Sequence, residues 1–563
     1  MNNYLNHFNI VLPMSCICSR CTIPVQYHVI PADSFYQQEA ENEIHLVTVL
    51  GKMRVGVVLF LVFLAGVNGE GEKCIPRYFG HSSFACVCNA TYCDTLPRPP
   101  PLAGGEFLLC TSDIDKNRFL MTSHAFNETG KIGATEINDF ILDPEITYQT
   151  MLGFGGAFTD STAKNLLSLS TGAQEHLLRS YFSSTGIEYN IGRVNMGGCD
   201  FSWRTYSYDD VEGDVALEHF ALQEEDIVYK IPMIQRAKEM SDKPIKLIAS
   251  PWSAPTWMKS NKQFHGMGHL LEEMYQPWAE YFVKFFKSYL DHNIDFWGVT
   301  AQNEPVDGNI PYFWFNCMGW TAKTQRKWIA ENLGPTLENN NLGDLKLMIM
   351  DDQRIFLPKW PATVLNDTEA AKYVDGIAIH WYWDQFSSPE LLTRTHELFP
   401  DVFLLGTEAC VGDKPYEVEI AIGAWERLER YAHDIITDLN HWVTGWTDWN
   451  LALDTQGGPN WAGNFVDSSV IVNETADEFY KNPMFYAMGH FSKFVQEGAQ
   501  RIELTPVNQV SLQTVAFRNS DNSVAIVVLN KSGREIEARI QTPTLGSINV
   551  LAGPRSLHTV YYV

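Results

Sequence analysis

The chain has 563 residues, of which 45% are hydrophobic and 13% aromatic, enough apolar material for one large domain with smaller ones attached. Its 41 Lys and Arg stand against 67 Asp and Glu, a formal charge of −26, and the absence of a basic run argues against a nucleic-acid-binding protein. Protonation of the 16 His residues would remove much of that charge, which is compatible with an acidic compartment.

The first recognisable segment is an apolar run at residues 55–67. Lys52 and Arg54 precede it, small residues follow it up to Gly69, and it is short for a membrane-spanning helix. We therefore interpret residues 53–69 as a signal peptide. Residues 1–52 form a doubtful leader, because either translation starts at Met53 or the leader is unusually long. A type II membrane anchor is the alternative that the short run disfavours.

A cysteine cluster follows directly. In an intracellular protein it could bind zinc, but after a signal peptide it predicts two disulfides. The cluster consists of Cys74, Cys86, Cys88 and Cys93. The scattered Cys110, Cys199, Cys317 and Cys410 are expected to be free. Asn-X-Ser/Thr sequons, which suit a secreted glycoprotein, occur at Asn89, Asn127, Asn366, Asn473 and Asn530.

Short strand patterns occupy both flanks of the chain. A proline-rich linker at 97–105 precedes the first set, at 100–148, and the second set covers 499–563 at a spacing of about ten residues. Strands at this spacing with turn residues between them are typical of a sandwich. We predict one immunoglobulin-like β-sandwich built from both flanks.

The middle of the chain, 149–450, alternates eight apolar strand candidates with helical stretches. This pattern predicts an α/β fold, a (β/α)8 TIM barrel, to which we assign 483–498 as well. Active-site residues of such barrels lie at the C-terminal ends of the strands. Here those ends carry carboxylates and aromatic residues.

Two of these carboxylates suggest catalysis. Glu304, in WGVTAQNEP, follows the fourth strand, and Glu408, in LLGTEACVG, ends the seventh. The two ends face each other across a barrel mouth. Glycosidic cleavage needs such a pair, one acid to protonate the departing oxygen and one carboxylate to attack or stabilise the anomeric carbon. The alternative, two solvated loop acids, is harder to reconcile with both positions.

Many segments, in order from Cys74 to Val563, resemble the glucosylceramidases of glycoside hydrolase family 30. They include CVCNATYC, GFGGAFTD, ASPWSAPTWMK, FWGVTAQNEP, HWYWD, TEACVG and FYAMGHFSKFV. The resemblance implies a retaining hydrolase of glucosylceramide with Glu304 as acid/base, Glu408 as nucleophile and Arg193 supporting the nucleophile. It implies a sugar site formed by Asp200, Trp252, Asn303, Tyr382, Trp449 and Asn464. It also implies a small antiparallel sheet that joins residues 70–98, with their disulfides, to 451–482.

The same resemblance implies the setting of the enzyme. Its substrate would be a glycosphingolipid at a membrane surface in the lysosomal lumen, reached through the secretory pathway, with peripheral membrane association. A saposin-type activator, anionic phospholipid and a lysosomal sorting receptor would be its partners, and no metal or cofactor is expected. Two alternatives remain open, namely another family 30 specificity (β-xylosidase or β-1,6-glucanase) and a silent sugar- or lipid-binding protein.

Elementary electrostatics predicts different protonation states for the two glutamates. At a separation of roughly 5 Å and an effective dielectric of about 20, like charges repel by about 3 kcal/mol, or two pKa units. An ionised Glu408 could thus keep Glu304 protonated, and Arg193 would favour the ionised Glu408. The sequence departs from the family pattern at Gln302, Gly192, Asn195 and Trp383. We expect these changes to affect loop stiffness or aglycone preference rather than the catalytic pair.

Three other motifs resemble functional sites. GFGGAF is similar to a dinucleotide fingerprint but has Phe158 at the third glycine position. His265 and His269 have the i, i+4 spacing of metal ligands, but glycines between them disfavour a helix. Asp351 in MDDQR could belong to a cation site, and a hydrogen-bonded rim is the preferred interpretation.

Overall fold

The computed structural model describes residues 71–127 and 136–563, so the predicted leader and signal peptide lie outside the described residues. The strands are β1 Pro76–Tyr78, β2 Phe84–Asn89, β3 Glu106–Asp113, β4 Leu120–Ala125, β5 Glu136–Thr150, β6 Gly153–Phe158, β7 Ile191–Met196, β8 Lys246–Pro251, β9 Gly298–Thr300, β10 Lys346–Gln353, β11 Gly376–His380, β12 Phe403–Glu408, β13 Val443–Asn450, β14 Leu453–Asp454, β15 Val470–Asn473, β16 Glu478–Lys481, β17 Gln500–Pro506, β18 Gln513–Arg518, β19 Val524–Asn530, β20 Ile536–Gln541, β21 Ser547–Ala552 and β22 Ser556–Tyr562.

The helices lie mostly between the strands of the middle region. They are α1 Asp160–Ser168, α2 Thr171–Phe182, α3 Ile231–Met240, α4 Tyr275–Leu290, α5 Ala322–Trp328, α6 Gly334–Asn339, α7 Lys359–Leu365, α8 Thr368–Ala371, α9 Glu390–Leu398, α10 Trp425–Asn440 and α11 Pro483–Ser492. Within the described ranges, none of these helices has the length and apolar character needed to span a bilayer.

The small sheet confirms the predicted link between the cysteine-rich N-terminus and the segment after the eighth barrel strand. Its strand order is β1-β2-β16-β15-β14, and β2 pairs antiparallel with β16 so that Cys88 faces Phe479. Two disulfides, Cys74–Cys86 and Cys88–Cys93, fix the edge of this sheet, as the sequence predicts. The four scattered cysteines are free and buried.

The eight parallel strands β6 to β13 close into a barrel, which confirms the fold class. The floor of the barrel is filled by apolar side chains from several of its strands, including Ile191, Ile248, Met348 and Leu405. On the outer face of β7, Gly192 is required by close packing against Phe158, since a Cβ there would lie 2.5 Å from the ring of Phe158. The floor is therefore closed, and the polar strand ends are left to form the opposite face.

The flanking strands form one continuous sheet in the order β21-β20-β5-β17-β18-β19-β22-β3-β4. Its long member, β5, pairs with β20 along 136–141 and with β17 along 140–150. The sheet thereby folds over a single apolar core that includes Phe107, Phe140, Ile526 and Ile548. The predicted sandwich is confirmed, and β5 carries the chain from one layer to the other.

Candidate active site

Glu304 reaches the barrel mouth through an unusual backbone turn. Strand β9 ends at Thr300, and Glu304 has φ of +39°, a left-handed conformation that few non-glycine residues adopt. Its amide nitrogen donates to the carbonyl of Asp351 at 2.9 Å, which holds the turn. Pro305 follows, and the carboxyl is only 13% exposed. Strained backbone of this kind is concentrated at functional sites.

Glu408 is the last residue of β12 and faces Glu304. The guanidinium of Arg193 and the hydroxyl of Tyr382 both donate to its carboxyl group, the latter at 2.8 Å. One carboxylate oxygen of Glu304 lies within 4.8 Å of one of Glu408. Retaining glycosidases hold their two carboxyl groups about 5 to 5.5 Å apart, whereas inverting enzymes leave room for a water molecule. This spacing fits the retaining class.

Asp351 organises the centre of the site. Its carboxylate accepts hydrogen bonds from Arg193 at 2.8 Å, Thr300 at 2.7 Å and Thr407 at 2.6 Å. Burial raises its pKa, but the charges of Arg193 and His380 outweigh burial and hold the pKa below the ordinary value. Asp351 is fully buried, so the preferred interpretation of MDDQR as a rim is wrong for this residue. It is an internal anchor for Arg193.

His380 links the two halves of the site. Its Nδ1 lies 3.1 Å from Glu304 Oε1 and its Nε2 lies 3.0 Å from Asp351 Oδ1. Burial lowers the pKa of the imidazole, but the carboxylates of Glu408 and Asp351 outweigh burial and raise it to about 10. His380 is therefore an imidazolium that donates to both neighbours. In the sequence, His380 opens the motif HWYWD, and its position two residues before Tyr382 was the available signal.

Burial and neighbouring charges act in opposite directions on the pKa values of both catalytic carboxyl groups. Burial raises the pKa of Glu304, but hydrogen bonding and charge from His380 bring it below the ordinary value. Burial raises the pKa of Glu408, and it stays above the ordinary value although His380 and Arg193 oppose the rise. The expectation that repulsion from Glu408 keeps Glu304 protonated omitted the imidazolium.

The residues expected to bind sugar line the same mouth. The rings of Trp252 and Trp449 stack on each other at 5.2 Å, so each has at most one face left for a substrate. Asn303 accepts a hydrogen bond from Arg193 at 2.7 Å through Oδ1, which directs its amide nitrogen elsewhere. The structure thus brings these three residues next to the catalytic pair.

Asp200 and Asn464 form a second polar group in the mouth. Asn464 donates to Asp200 Oδ2 at 3.0 Å, and Asn460 donates to the same oxygen at 3.3 Å. Burial raises the pKa of Asp200 to about 7, against the two amides. Asn460 was not among the expected residues. It lies four residues before Asn464, and only the folded loop shows that both reach Asp200.

Three departures from the family pattern have visible consequences. Gln302 is buried and donates to the carbonyls of Trp252 and Asn303, both at 2.9 Å. Asn195 donates to Asp160 and to the carbonyl of Gly197. Trp383 is partly exposed and packs near Phe356. Gln302 therefore supports the loop that carries Glu304 without adding a charge.

Three groups of side chains bring three metal-ligand atoms close together within the described residues. Cys88 and Cys93 of the first are a disulfide. In the second, Glu304 and Glu408 already accept from His380, Arg193 and Tyr382. In the third, which comprises Asp384, Asp434 and Asp438, Arg354 forms ion pairs with two of the acids. Protein donors therefore contact all three groups, although Asp384 Oδ1 is buried without a hydrogen-bond partner.

The five sequons differ in accessibility. Asn127 and Asn366 are exposed, and Asn89 and Asn473 are partly buried. Asn530 is only 1% exposed, and its amide nitrogen donates to the carbonyls of Arg534, Ala552 and Gly553. A glycan at Asn530 would break these buried contacts.

Known proteins share this architecture. The family model for the "Glycosyl hydrolase family 30 TIM-barrel domain" matches residues 151–495, and that for the "Glycosyl hydrolase family 30 beta sandwich domain" matches residues 498–560. The chain is 47% identical to "Lysosomal acid glucosylceramidase" of Mus musculus, over 90% of this chain and 99% of the relative. It is 43% identical to "Putative glucosylceramidase 3" of Caenorhabditis elegans, over 91% and 99%.

A solved structure gives the same result. SrfJ from Salmonella typhimurium superposes with a TM-score of 0.74 at 26% identity, covering 81% of this chain and 99% of that one. The barrel and the sandwich agree with these matches. The chain belongs to glycoside hydrolase family 30 and is a glycoside hydrolase.

Proposed function

We propose that the chain hydrolyses glucosylceramide to glucose and ceramide by double displacement, with Glu304 as acid/base and Glu408 as nucleophile. The assignment rests on one observation, namely that the carboxyl groups of Glu304 and Glu408 lie within 4.8 Å of each other but in unequal environments. Arg193 and Tyr382 orient Glu408, as a nucleophile requires. Glu304 instead contacts the imidazole of His380, a group that can exchange protons. It lies in a loop that opens to the barrel mouth.

In the first step, Glu304 donates a proton to the glycosidic oxygen while Glu408 attacks the anomeric carbon. The ceramide alcohol leaves, and the sugar is held as an ester of Glu408. In the second step, Glu304 takes a proton from water, whose oxygen displaces the ester and releases glucose. Tyr382 and Arg193 keep the departing Glu408 carboxylate hydrogen-bonded.

The lipid part of the proposal is supported by exposed apolar residues around the mouth. Four loops at the C-terminal ends of the barrel strands present them, and Tyr312 at the tip of one loop is 94% exposed. Clustered exposure of this kind marks an interaction surface. We call this set the mouth ring; it consists of Met267, Ile310, Tyr312, Trp314, Trp383, Phe386, Tyr416 and Val418.

The mouth ring fits a membrane surface that presents a glycolipid headgroup to the site. His265 and His269, both exposed, flank Met267 in this ring, and we include anionic phospholipid among the proposed partners. We include in the proposal peripheral membrane association in the lysosomal lumen, a saposin-type activator, a sorting receptor, N-glycans and delivery by a signal peptide. The 47% identity to the mouse lysosomal protein supports this setting.

Glucose release from glucosylceramide in anionic vesicles tests the substrate. Full-length secreted protein should release glucose at pH 5, whereas Glu408→Gln should not. Gentio-oligosaccharides and xylo-oligosaccharides should be poor substrates. If either oligosaccharide is hydrolysed faster than glucosylceramide, the chain has another family 30 specificity. If glucosylceramide is bound but not hydrolysed, the chain is a silent binding protein.

The double variant Tyr312→Ser, Trp314→Ser tests the mouth ring. Burial of each aromatic ring is worth roughly 1.5 to 3 kcal/mol, so vesicle binding should fall at least tenfold, and glucose release with it. The matched control is Val507→Ser, an exposed apolar residue on the sandwich, which should bind vesicles normally. Equal vesicle binding by both variants would contradict a membrane role for the ring.

A further inference from the structure

Lys259 is a buried lysine that takes no part in the two-step mechanism. It follows a short helical turn, Thr256–Met258, after strand β8 and is fully buried. Its Nζ donates hydrogen bonds to the hydroxyl of Ser253 at 2.8 Å, to the carbonyl of Cys317 at 2.6 Å and to the carbonyl of Phe264 at 3.3 Å. An ammonium group has three N–H donors, so these acceptors use its full hydrogen-bonding capacity.

The charge of Lys259 is not balanced by a neighbouring acid. Its three acceptors are uncharged, and among the described residues no carboxylate forms an ion pair with this ammonium. Two other buried lysines do have such partners, since Lys230 pairs with Asp160 at 2.8 Å and Lys481 with Asp94 at 2.7 Å. Burial lowers the pKa of Lys259 to about 8, which leaves it charged at pH 5. Because an unpaired buried charge destabilises a fold, this lysine is best explained by what it connects.

Two loops of the barrel mouth meet at Lys259. Residues 260–271, which we call the histidine loop, contain the acceptor Phe264. Residues 305–320, which we call the acid/base loop because they directly follow the catalytic acid/base, contain the acceptor Cys317. The lysine thus holds both loops through their backbone carbonyls.

The third contact ties these loops to the sugar site. Ser253 directly follows Trp252, just after the C-terminal end of strand β8. The ring of Trp252 stacks on that of Trp449 beside the catalytic pair. Lys259 therefore fixes the histidine loop and the acid/base loop relative to the residues that are expected to bind glucose.

Backbone hydrogen bonds also join the two loops to each other. The amide nitrogen of Gly266 donates to the carbonyl of Phe313 at 2.9 Å. In the opposite direction, the amide nitrogen of Cys317 donates to the carbonyl of Phe264 at 3.0 Å. The cleft between the loops is lined by three members of the mouth ring, namely Met267, Tyr312 and Trp314. The shape of this part of the ring therefore depends on both loops keeping their positions.

We propose that Lys259 is a positioning residue that determines the preference for a lipid substrate. Its three hydrogen bonds fix the histidine loop and the acid/base loop to the sugar site, so that the mouth ring presents a membrane-bound glucoside to the catalytic pair. The inference rests on the proposed function. A small soluble glucoside needs the sugar site but not the mouth ring, so its hydrolysis depends much less on this lysine.

Lys259→Met tests the inference, because methionine keeps an apolar stem but lacks the three donors. We expect kcat/KM for glucosylceramide in anionic vesicles to fall by about tenfold or more, mainly through a higher apparent KM. For a small soluble aryl β-glucoside, measured without vesicles, kcat/KM should stay within about threefold of the wild-type value. General damage to the fold would instead lower both activities together.

Lys493→Met is the matched control. Lys493 is also buried and donates to two backbone carbonyls, those of Ser184 at 2.6 Å and Gly186 at 2.8 Å. It has an ion-pair partner, Glu188, at 2.9 Å, and its acceptors precede strand β7, at the end of the barrel opposite the mouth. The substitution should therefore leave the ratio of the two activities at the wild-type value, whatever it does to the melting temperature.

Ser253→Ala replaces the methionine variant if that variant does not fold. It removes one of the three acceptors and leaves the lysine in place. We expect the same separation of the two substrates at a smaller size, with a loss of roughly two- to fivefold on vesicles.

Two results would overturn the inference. One is an equal loss on both substrates in Lys259→Met, and the other is a wild-type kcat/KM on vesicles in that variant; an unchanged ratio in Ser253→Ala counts in the same way where it takes the place of Lys259→Met. If the wild type does not hydrolyse glucosylceramide, the proposed function fails and this inference fails with it. If the wild type does so and the variant does not separate the two substrates, only the role of Lys259 fails.

Discussion

Tyr382→Phe tests the environment of the nucleophile. The hydroxyl of Tyr382 donates to Glu408 at 2.8 Å, and a hydrogen bond to a charged group contributes about 1.5 to 3 kcal/mol. At 1.36 kcal/mol per unit, its loss should raise the pKa of Glu408 by about one to two units. Because the nucleophile must be ionised, the acidic limb of kcat/KM should move to higher pH by the same amount.

An activated aryl β-glucoside measured from pH 3 to 8 reports this limb directly. Activity at pH 4.5 should fall about tenfold or more, while activity above the shifted limb should change less. Tyr431→Phe is the matched control, because Tyr431 donates to the buried Asp448 at 2.7 Å and should leave the limb in place. A loss that is uniform across the pH range would refute the reasoning.

Further predictions concern the catalytic pair, glycosylation and acid stability. Azide should enter the space left in Glu408→Gly and give the α-glucosyl azide, whereas Glu304→Ala should give the β-azide from the glycosyl-enzyme; the opposite anomers, identified by NMR, would exchange the two roles. Mass spectrometry of glycopeptides should find Asn530 unmodified, because its amide is buried. Burial lowers the pKa of His558 to about 4, below the unfolded value of about 6.5, so its stabilising contribution is present above pH 6.5 and is lost as the pH falls. Between pH 7 and pH 5, the free energy of unfolding should therefore fall by about 2 kcal/mol less in His558→Gln than in the wild type. Equal falls in denaturant titrations would contradict this.

The barrel was predictable because its strands are apolar runs that end in polar residues, as at Glu408. The sandwich followed from regular strand spacing on both flanks. What the sequence could not show is how β5 joins the two layers, because pairing partners more than 350 residues apart leave no local pattern. The predicted disulfide region was recognisable, but its pairing came from the structure.

The sequence allowed us to predict which residue types form the site and at which strand ends they lie. The charge on His380 was not predictable, since it depends on Glu304, Asp351 and Glu408 converging from three other strands. For the same reason the opposing effect of His380 on the pKa values of the two glutamates could not be predicted. The positive φ of Glu304 was not predictable either, because no local pattern in NEPVDGN indicates a left-handed residue at that position.

The pairing of β22 has a consequence for synthesis of the chain. This last strand lies between β19 and β3, and β16 near the end completes the sheet of β1 and β2. The β3–β4 hairpin therefore has no partner on the β3 side until β22 has been synthesised, long after the small sheet can be completed by β16. Nascent molecules should depend on chaperones until termination, and loss of the last seven residues should leave the β3–β4 hairpin exposed to quality control and degradation.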